Sequence, residues 1–445
     1  MTGLLIGWLA AAIAMLFLCV GKARDGGALV LSYFLALSLI HVPGALAFLP
    51  FAAPIGGGVE TGVGFELALT AAIAFVAGAA ICQMTQRQHA AAPSFGFAKN
   101  ISTWAIGIGF VAYFVAMPIA ARFSSATSIV SPLGELLIVG LWLRLVEAER
   151  ARDVGLYAQV WMMLPLLPLA TLTLGGFAGF GISWVFSVIA FAFVRSKHRW
   201  AYVAAAPIVL FFGLSLFVAY MSERTAIRDA VWTQQSGLSE RFDRVQRVID
   251  ALEPIDLTKV SHVEAIDSRL NQNYLVGVGV LRHRDGVTDL LHGSSIQLWA
   301  LVPRAIWPDK PVVGGGGQLV SEFTGVMFPE GTSVGVGNVL EAYMNFGMAG
   351  VMVVMAALGW ALRALDFGIA RAVETGDLGA LLRVALPGIM LLQPGGNFLE
   401  ILTAAAAAYI AALLAERAAR WTNLIGETNP SMVSTMPRSR LGDLP

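Results

Sequence analysis

The sequence predicts an all-α polytopic membrane protein of about eleven transmembrane helices (10–12) with one large helical loop on the non-cytoplasmic side. Three observations carry that reading. Hydrophobic residues fill 57% of the 445 positions and charged residues only 13%, too few to cover a soluble domain of this length, so lipid must solvate much of the chain. Apolar stretches of about 20 residues, enough to cross a hydrocarbon core of roughly 30 Å, recur along it. Basic residues gather in alternate short loops.

The spans fall at about 3–20, 28–50, 64–83, 102–121, 127–146, 155–173, 176–194, 201–220, 338–363, 378–393 and 398–416. The start, Met1-Thr2-Gly3-Leu4, lacks the basic segment of a cleavable signal peptide, so the first run reads as a retained span. The sixth and seventh are short and share a Gly-rich turn, and Arg383 interrupts the tenth, with Pro387 following. Alternate loops carry Lys22 and Arg24, Arg87 and Lys99, Arg150 and Arg152, Arg195, Lys197 and Arg199, Arg363 and Arg371, and Arg417 and Arg420. The intervening short loops hold only Arg122. Basic loops mark the cytoplasmic side, which places the N-terminus in the periplasm and the C-terminus in the cytoplasm of a bacterial inner membrane. Four units follow: a bundle of about eight helices over 1–220, a periplasmic loop over 221–337, about three further helices over 338–420, and a disordered cytoplasmic tail over 421–445.

The large loop is not a linker. Leu238, Phe242, Val245, Val248, Ile249 and Leu252 recur at helical spacing, as do Val260, Val263, Ile266 and Leu270; a third apolar run, Ile296 to Val302, stops at Pro303. Amphipathic helices lying on the membrane domain or at the lipid surface are expected. The formal charge of zero gives no reason to expect a nucleic-acid partner. Cys19 and Cys82 sit near the ends of apolar runs and make neither a disulfide framework nor a zinc site. The six histidines lack metal-ligand spacing, and no Walker loop, dinucleotide fingerprint or nucleophile elbow is present, so neither metal nor cofactor is expected.

Polar residues inside apolar runs are the candidates for chemistry. Glu66, Glu135, Glu341 and Glu400 fall in the outer halves of their spans and suggest a water-filled cavity open to the periplasm, with snorkelling to the interface as the alternative. Asn338, Glu341 and Asn345 are spaced three and four apart and share one helix face. Arg269, Arg282, Arg284, Arg304 and Lys310 concentrate positive charge in one part of the loop; guanidinium forks suit a diphosphate, a lipid headgroup or a solvated face. Three prolines between Leu301 and Pro311 stiffen the segment carrying Arg304, Trp307, Asp309 and Lys310, and Trp307 offers a face for a sugar ring or the interface.

The segments Arg269-Leu270-Asn271-Gln272, Leu301 to Pro311, Thr332-Ser333-Val334-Gly335 and Leu340-Glu341-Ala342-Tyr343-Met344-Asn345-Phe346-Gly347 resemble the bacterial repeat-unit polymerases of O-antigen and exopolysaccharide assembly. That family reads Pro-Arg, two residues on Trp-Pro, a basic residue and Pro, and later a Glu, an aromatic and Asn-Phe-Gly opening the next span. The strong part covers about 80 residues. The resemblance implies a GT-C-like glycosyltransferase that moves a glycan from undecaprenyl diphosphate to a new lipid-linked repeat unit at the periplasmic face. Its partners are undecaprenyl-diphosphate-linked oligosaccharides, membrane lipid and a chain-length regulator or other polysaccharide-assembly protein. It assigns Arg269, Arg304, Lys310 and Arg282 to the diphosphate, Glu341 or Asp309 to the attacking hydroxyl's proton, and Trp307, Tyr343, Asn345 and Asn338 to the sugar. The chain departs from the family at two turns where many members carry arginine: here they read Gly175-Gly176-Phe177-Ala178-Gly179 and Leu392-Gln393-Pro394-Gly395-Gly396. A ligase using the same donor, a lipid or sugar transporter, and a non-catalytic subunit of an export complex are the rival readings.

Overall fold

The computed structural model describes residues 1–20, 28–85, 97, 100–120, 127–175, 178–232, 243, 246–291, 307, 316–328 and 334–421. Helices account for nearly all of them, and no strand occurs among the described residues. Eight elements form the first part of the chain: α1 (Thr2–Val20), α2 (Ala28–Leu46), α3 (Gly58–Thr85), α4 (Ile101–Ala120), α5 (Ile129–Ala151), α6 (Val154–Leu172), α7 (Ala178–Arg195) and α8 (Arg199–Trp232). Three shorter helices follow, α9 (Val260–Leu270), α10 (Gln272–Arg284) and α11 (Gly316–Thr324), and then α12 (Asn338–Thr375), α13 (Leu378–Met390) and α14 (Phe398–Trp421). Among the described residues nine helices are long and apolar enough to cross a membrane, and two shorter apolar helices accompany them. The chain is a membrane-embedded helical protein.

Local chemistry sets several boundaries. Asp153 opens α6 by accepting from the Gly155 and Leu156 amides at 2.7 and 3.3 Å, and Asp377 opens α13 by accepting from Ala380 N at 2.9 Å. Pro43, Pro132, Pro207 and Pro387 lie inside helices, as apolar bundles tolerate. Arg383, the charge that interrupts the tenth apolar run, pairs with Glu416 of α14 at 2.6 Å, and Arg420 meets the same carboxylate at 2.6 Å. Both cysteines are buried, and the Cys19 thiol donates to Met15 Sδ at 3.9 Å.

The centre of the bundle is α3. Its first half lies against α10 at backbone distance: a methyl group on Gly64 would overlap the Asn273 carbonyl, and one on Gly277 would overlap the Glu60 carbonyl. Its second half lies against α12, where Tyr33 of α2 also stacks on Phe75 with ring centroids 4.8 Å apart. A separate group packs α5 on α7 through the stacked rings of Trp142 and Phe191, 5.0 Å apart, and the Trp142 indole donates to Ser187 O.

Several sequence expectations change here. Val263, Ile266 and Leu270 do form the buried face of α9, but Ile249 and Leu252 are exposed. α10 does not lie on the bundle surface; Asn273, Val276 and Val280 are buried within it, because a face of glycine and valine lets its backbone approach α3 closely. Of the four acids expected to line one cavity, Glu135 and Glu341 are buried while Glu66 and Glu400 point outward on their helices. Arg363, counted as a loop residue, is fully buried inside α12, which runs twelve residues further to Thr375. The third apolar run of the loop and the C-terminal tail lie outside the described residues.

Candidate functional site

α12 is not one straight helix. Gly347 has φ 63° and ψ −157°, values that break the helix and that only glycine adopts without strain. The contacts on either side show a reversal. Asp366 accepts from Leu29 N and Val30 N at the start of α2, while the Tyr33 hydroxyl, one turn further along α2, donates to Asn338 Oδ1 at 2.7 Å. A straight helix would hold Asn338 about 42 Å from Asp366, against about 6 Å between Leu29 and Tyr33. In addition, a Cβ on Gly350 would sit 2.8 Å from the Ala342 carbonyl oxygen, which a continuous helix would place about 12 Å away. Residues 338–346 therefore form an arm folded back on the shaft, 348–375.

The arm meets two other segments. One is the tip between α9 and α10. There Asn271 Nδ2 donates to Thr61 Oγ1 at 2.9 Å and to Asp267 Oδ1 at 2.6 Å, and Asn273 Nδ2 donates to His41 O at 2.8 Å and Asn271 Oδ1 at 3.1 Å. His41 Nδ1 lies 2.6 Å from Asn273 Oδ1, and Gln272 Nε2 donates to Gly335 O at 3.4 Å. Burial pushes the Asp267 carboxyl above the ordinary range, against the opposing hydrogen bond from Asn271. The other segment is the turn between α13 and α14, where Asn338 N donates to Pro394 O at 2.8 Å and Asn338 Nδ2 to Gly396 O at 3.1 Å.

On the arm, Asn338, Glu341 and Asn345 are all buried, as is every residue from 338 to 345. Glu341 Oε2 accepts from Phe398 N at 2.6 Å and so caps the first turn of α14. Asn345 Nδ2 donates to Glu341 O at 2.8 Å. Tyr343 meets the His283 ring edge-on with centroids 5.8 Å apart.

The remaining expected site residues divide. Arg269 is exposed on the last turn of α9. Arg282 lies near the far end of α10, about 15 Å along that helix from the tip. There it donates to Phe323 O at 3.2 Å in the last turn of α11, so it holds that helix end and does not join Arg269 at the tip. Trp307 is half-buried. Arg304, Asp309 and Lys310 lie outside the described residues.

Sequence reasoning passed over His41, Asn271, Asn273 and Tyr33. The signal for His41 was present: a histidine inside the apolar run Leu39-Ile40-His41-Val42 is an intramembrane ionisable group. It is fully buried, and its Nε2 has no hydrogen-bond partner among the described residues. No cluster among the described residues has the ligands to hold a metal ion. What the arrangement offers is neutral hydrogen bonding: amide, hydroxyl and imidazole groups around one buried carboxyl, inside an apolar bundle. Comparison of the chain with protein-family models, characterised proteins and solved structures returns no match.

Proposed function

We propose that this protein is a polysaccharide polymerase, a GT-C-like glycosyltransferase with about eleven spans that joins undecaprenyl-diphosphate-linked repeat units at the periplasmic face of a bacterial inner membrane. In this reading the N-terminus is periplasmic, the C-terminus is cytoplasmic, and the glycan lipids are the partners. One observation carries the proposal. The two described segments on which the sequence resemblance rests, 269–272 and 340–347, lie in the same part of the bundle: Gln272 of the tip donates to Gly335 O and packs at Gly337, just before the arm, and Leu340 of the arm packs at Gly279 of α10. Two stretches about 70 residues apart that share a family's pattern and converge on buried amides and a carboxyl suit recognition of a hydroxylated substrate. Glu341 is the candidate base, and Arg269 the described candidate for the diphosphate.

The broken α12 favours a second reading, since transporters build sites from interrupted helices. Complementation separates the two. A deletion strain of the host is complemented with wild type, Glu341→Gln or Glu341→Ala, and its glycans are resolved by size. Glutamine keeps an oxygen to cap Phe398 N but takes no proton. Single repeat units in the deletion strain, restored to long chains by wild type but not by a membrane-located Glu341→Gln protein, support the polymerase. Long chains with Glu341→Gln assign Glu341 to the cap alone. Loss of translocated repeat units, in place of loss of chain length, favours transport.

A further inference from the structure

Buried polar atoms nearly always find partners, so those without one mark places where something else binds or where the fold carries a penalty. Two such atoms lie at the far end of the arm. Asn345 Oδ1 and Thr288 Oγ1 are buried and have no hydrogen-bond partner among the described residues. They belong to one joint. The strand of chain leaving α10 crosses the arm where Leu291 N donates to Asn345 O at 3.1 Å, and Leu290 packs over Gly347. His283 ties the same joint together: its Nδ1 lies 2.8 Å from Thr288 O, and its ring meets Tyr343 edge-on. Because a carbonyl only accepts, Nδ1 carries the hydrogen, and in the neutral ring Nε2 then presents a lone pair.

We propose that Asn345, Thr288 and His283 form a subsite for the hydroxyl groups of a sugar, the acceptor glycan under the polymerase reading on which this inference rests. The donor and acceptor pattern selects the ligand. An amide oxygen accepts only, imidazole Nε2 accepts here, and the threonine hydroxyl does either. Neighbouring sugar hydroxyls supply the protons these atoms lack. A diphosphate offers only acceptor oxygens and would face the Asn345 oxygen with nothing to donate. The subsite therefore takes the sugar and leaves the diphosphate to another part of the molecule. Asn345 lies two residues before Gly347, and Leu290, two residues after Thr288, packs over that glycine, so the reversal of α12 lies at the same joint.

The test uses the full chain in lipid nanodiscs. Binding of two probes is measured: undecaprenyl diphosphate, and undecaprenyl-diphosphate-linked oligosaccharide from the deletion strain. Thr288→Val keeps the side chain's shape and removes the hydroxyl; Thr288→Ser keeps the hydroxyl. Thr288→Val is expected to weaken binding of the oligosaccharide lipid by about five- to tenfold, one hydrogen bond's worth, with bare-lipid binding and melting temperature unchanged or the latter raised. Thr288→Ser should bind as wild type. If Thr288→Val binds the oligosaccharide lipid like wild type, or melts lower than wild type, the subsite is overturned. If wild type binds the two probes equally, the polymerase reading fails at the same time, which the Thr288 variants alone do not bring about.

Discussion

The two ends of α12 bury polar groups in opposite ways. At the shaft, Asp366 accepts two amides from the start of α2, and Arg363 donates to Gln83 Oε1 at 2.9 Å and lies over the Phe367 ring at 4.5 Å. Both residues are fully buried and engaged with their surroundings. At the arm, the polar groups are neutral amides, a hydroxyl and one carboxyl, and Asn345 Oδ1 is left without a partner. Buried charge tied to groups on other helices fixes those helices in place. Neutral polarity with valences to spare can receive a ligand.

The strongest way to loosen the shaft is Asp366→Ala. It strands two α2 amides and leaves Arg363 buried beside the gap, at an expected cost of about 3–5 kcal/mol. The fraction of monodisperse protein surviving a heat step in detergent should collapse well below the wild-type temperature. Gly347→Val acts on the other end. A β-branched residue at positive φ costs about 1–3 kcal/mol, and the arm should detach more than the bundle unfolds. A cysteine placed at Ala342 would then react faster with a soluble maleimide. Tyr33→Phe removes one hydrogen bond to Asn338 and should lower stability by about 1 kcal/mol, with the shaft unaffected.

The smallest effect is expected where charge is exposed. Through its hydrogen bond the Lys259 ammonium holds the Glu253 carboxyl below the ordinary carboxylate range, and Glu253 raises Lys259 in return. A depressed carboxyl contributes stability above its unfolded value and loses it as pH falls through the folded value; a raised lysine contributes below its unfolded value and loses it as pH rises through the folded one. Both groups are solvated, so Lys259→Met should leave the melting temperature at pH 7 within error. A clear drop would mean that solvated pairs stabilise this protein as the buried ones do.

Much of the fold was legible because apolar length is a local property, read within about 20 residues. The spacing of Asn338, Glu341 and Asn345 was equally local, but burial there is not confined to one face, since every residue from 338 to 345 is buried. Position along a helix could be read more firmly than direction around it: four acids suggest one cavity, and the exposure of Glu66 and Glu400 agrees with the alternative of snorkelling, which fits those two best. The reversal at Gly347 was hidden because a long apolar run follows directly from Met348 to Leu362, with no proline or charge to mark a break. The insertion of α10 was hidden for the opposite reason: its buried face is asparagine, glycine and valine, which scores as polar although it packs at backbone distance. Arg282 drew attention for its charge, and its described contact is with the Phe323 carbonyl at the end of α11, 41 residues away.

The inserted α10 and its tip also constrain the order of assembly. Thr61 and His41, which receive Asn271 and Asn273, are synthesised about 200 residues before the tip, so its seat can exist when the tip emerges. Asn338, and then Pro394 and Gly396, are synthesised later still, and only with them can the arm settle between tip and turn. A nascent chain stalled once residue 290 has cleared the ribosome would therefore hold a docked tip with no arm across it. One stalled once residue 400 has cleared it would hold the first complete set of groups from which the candidate site is built.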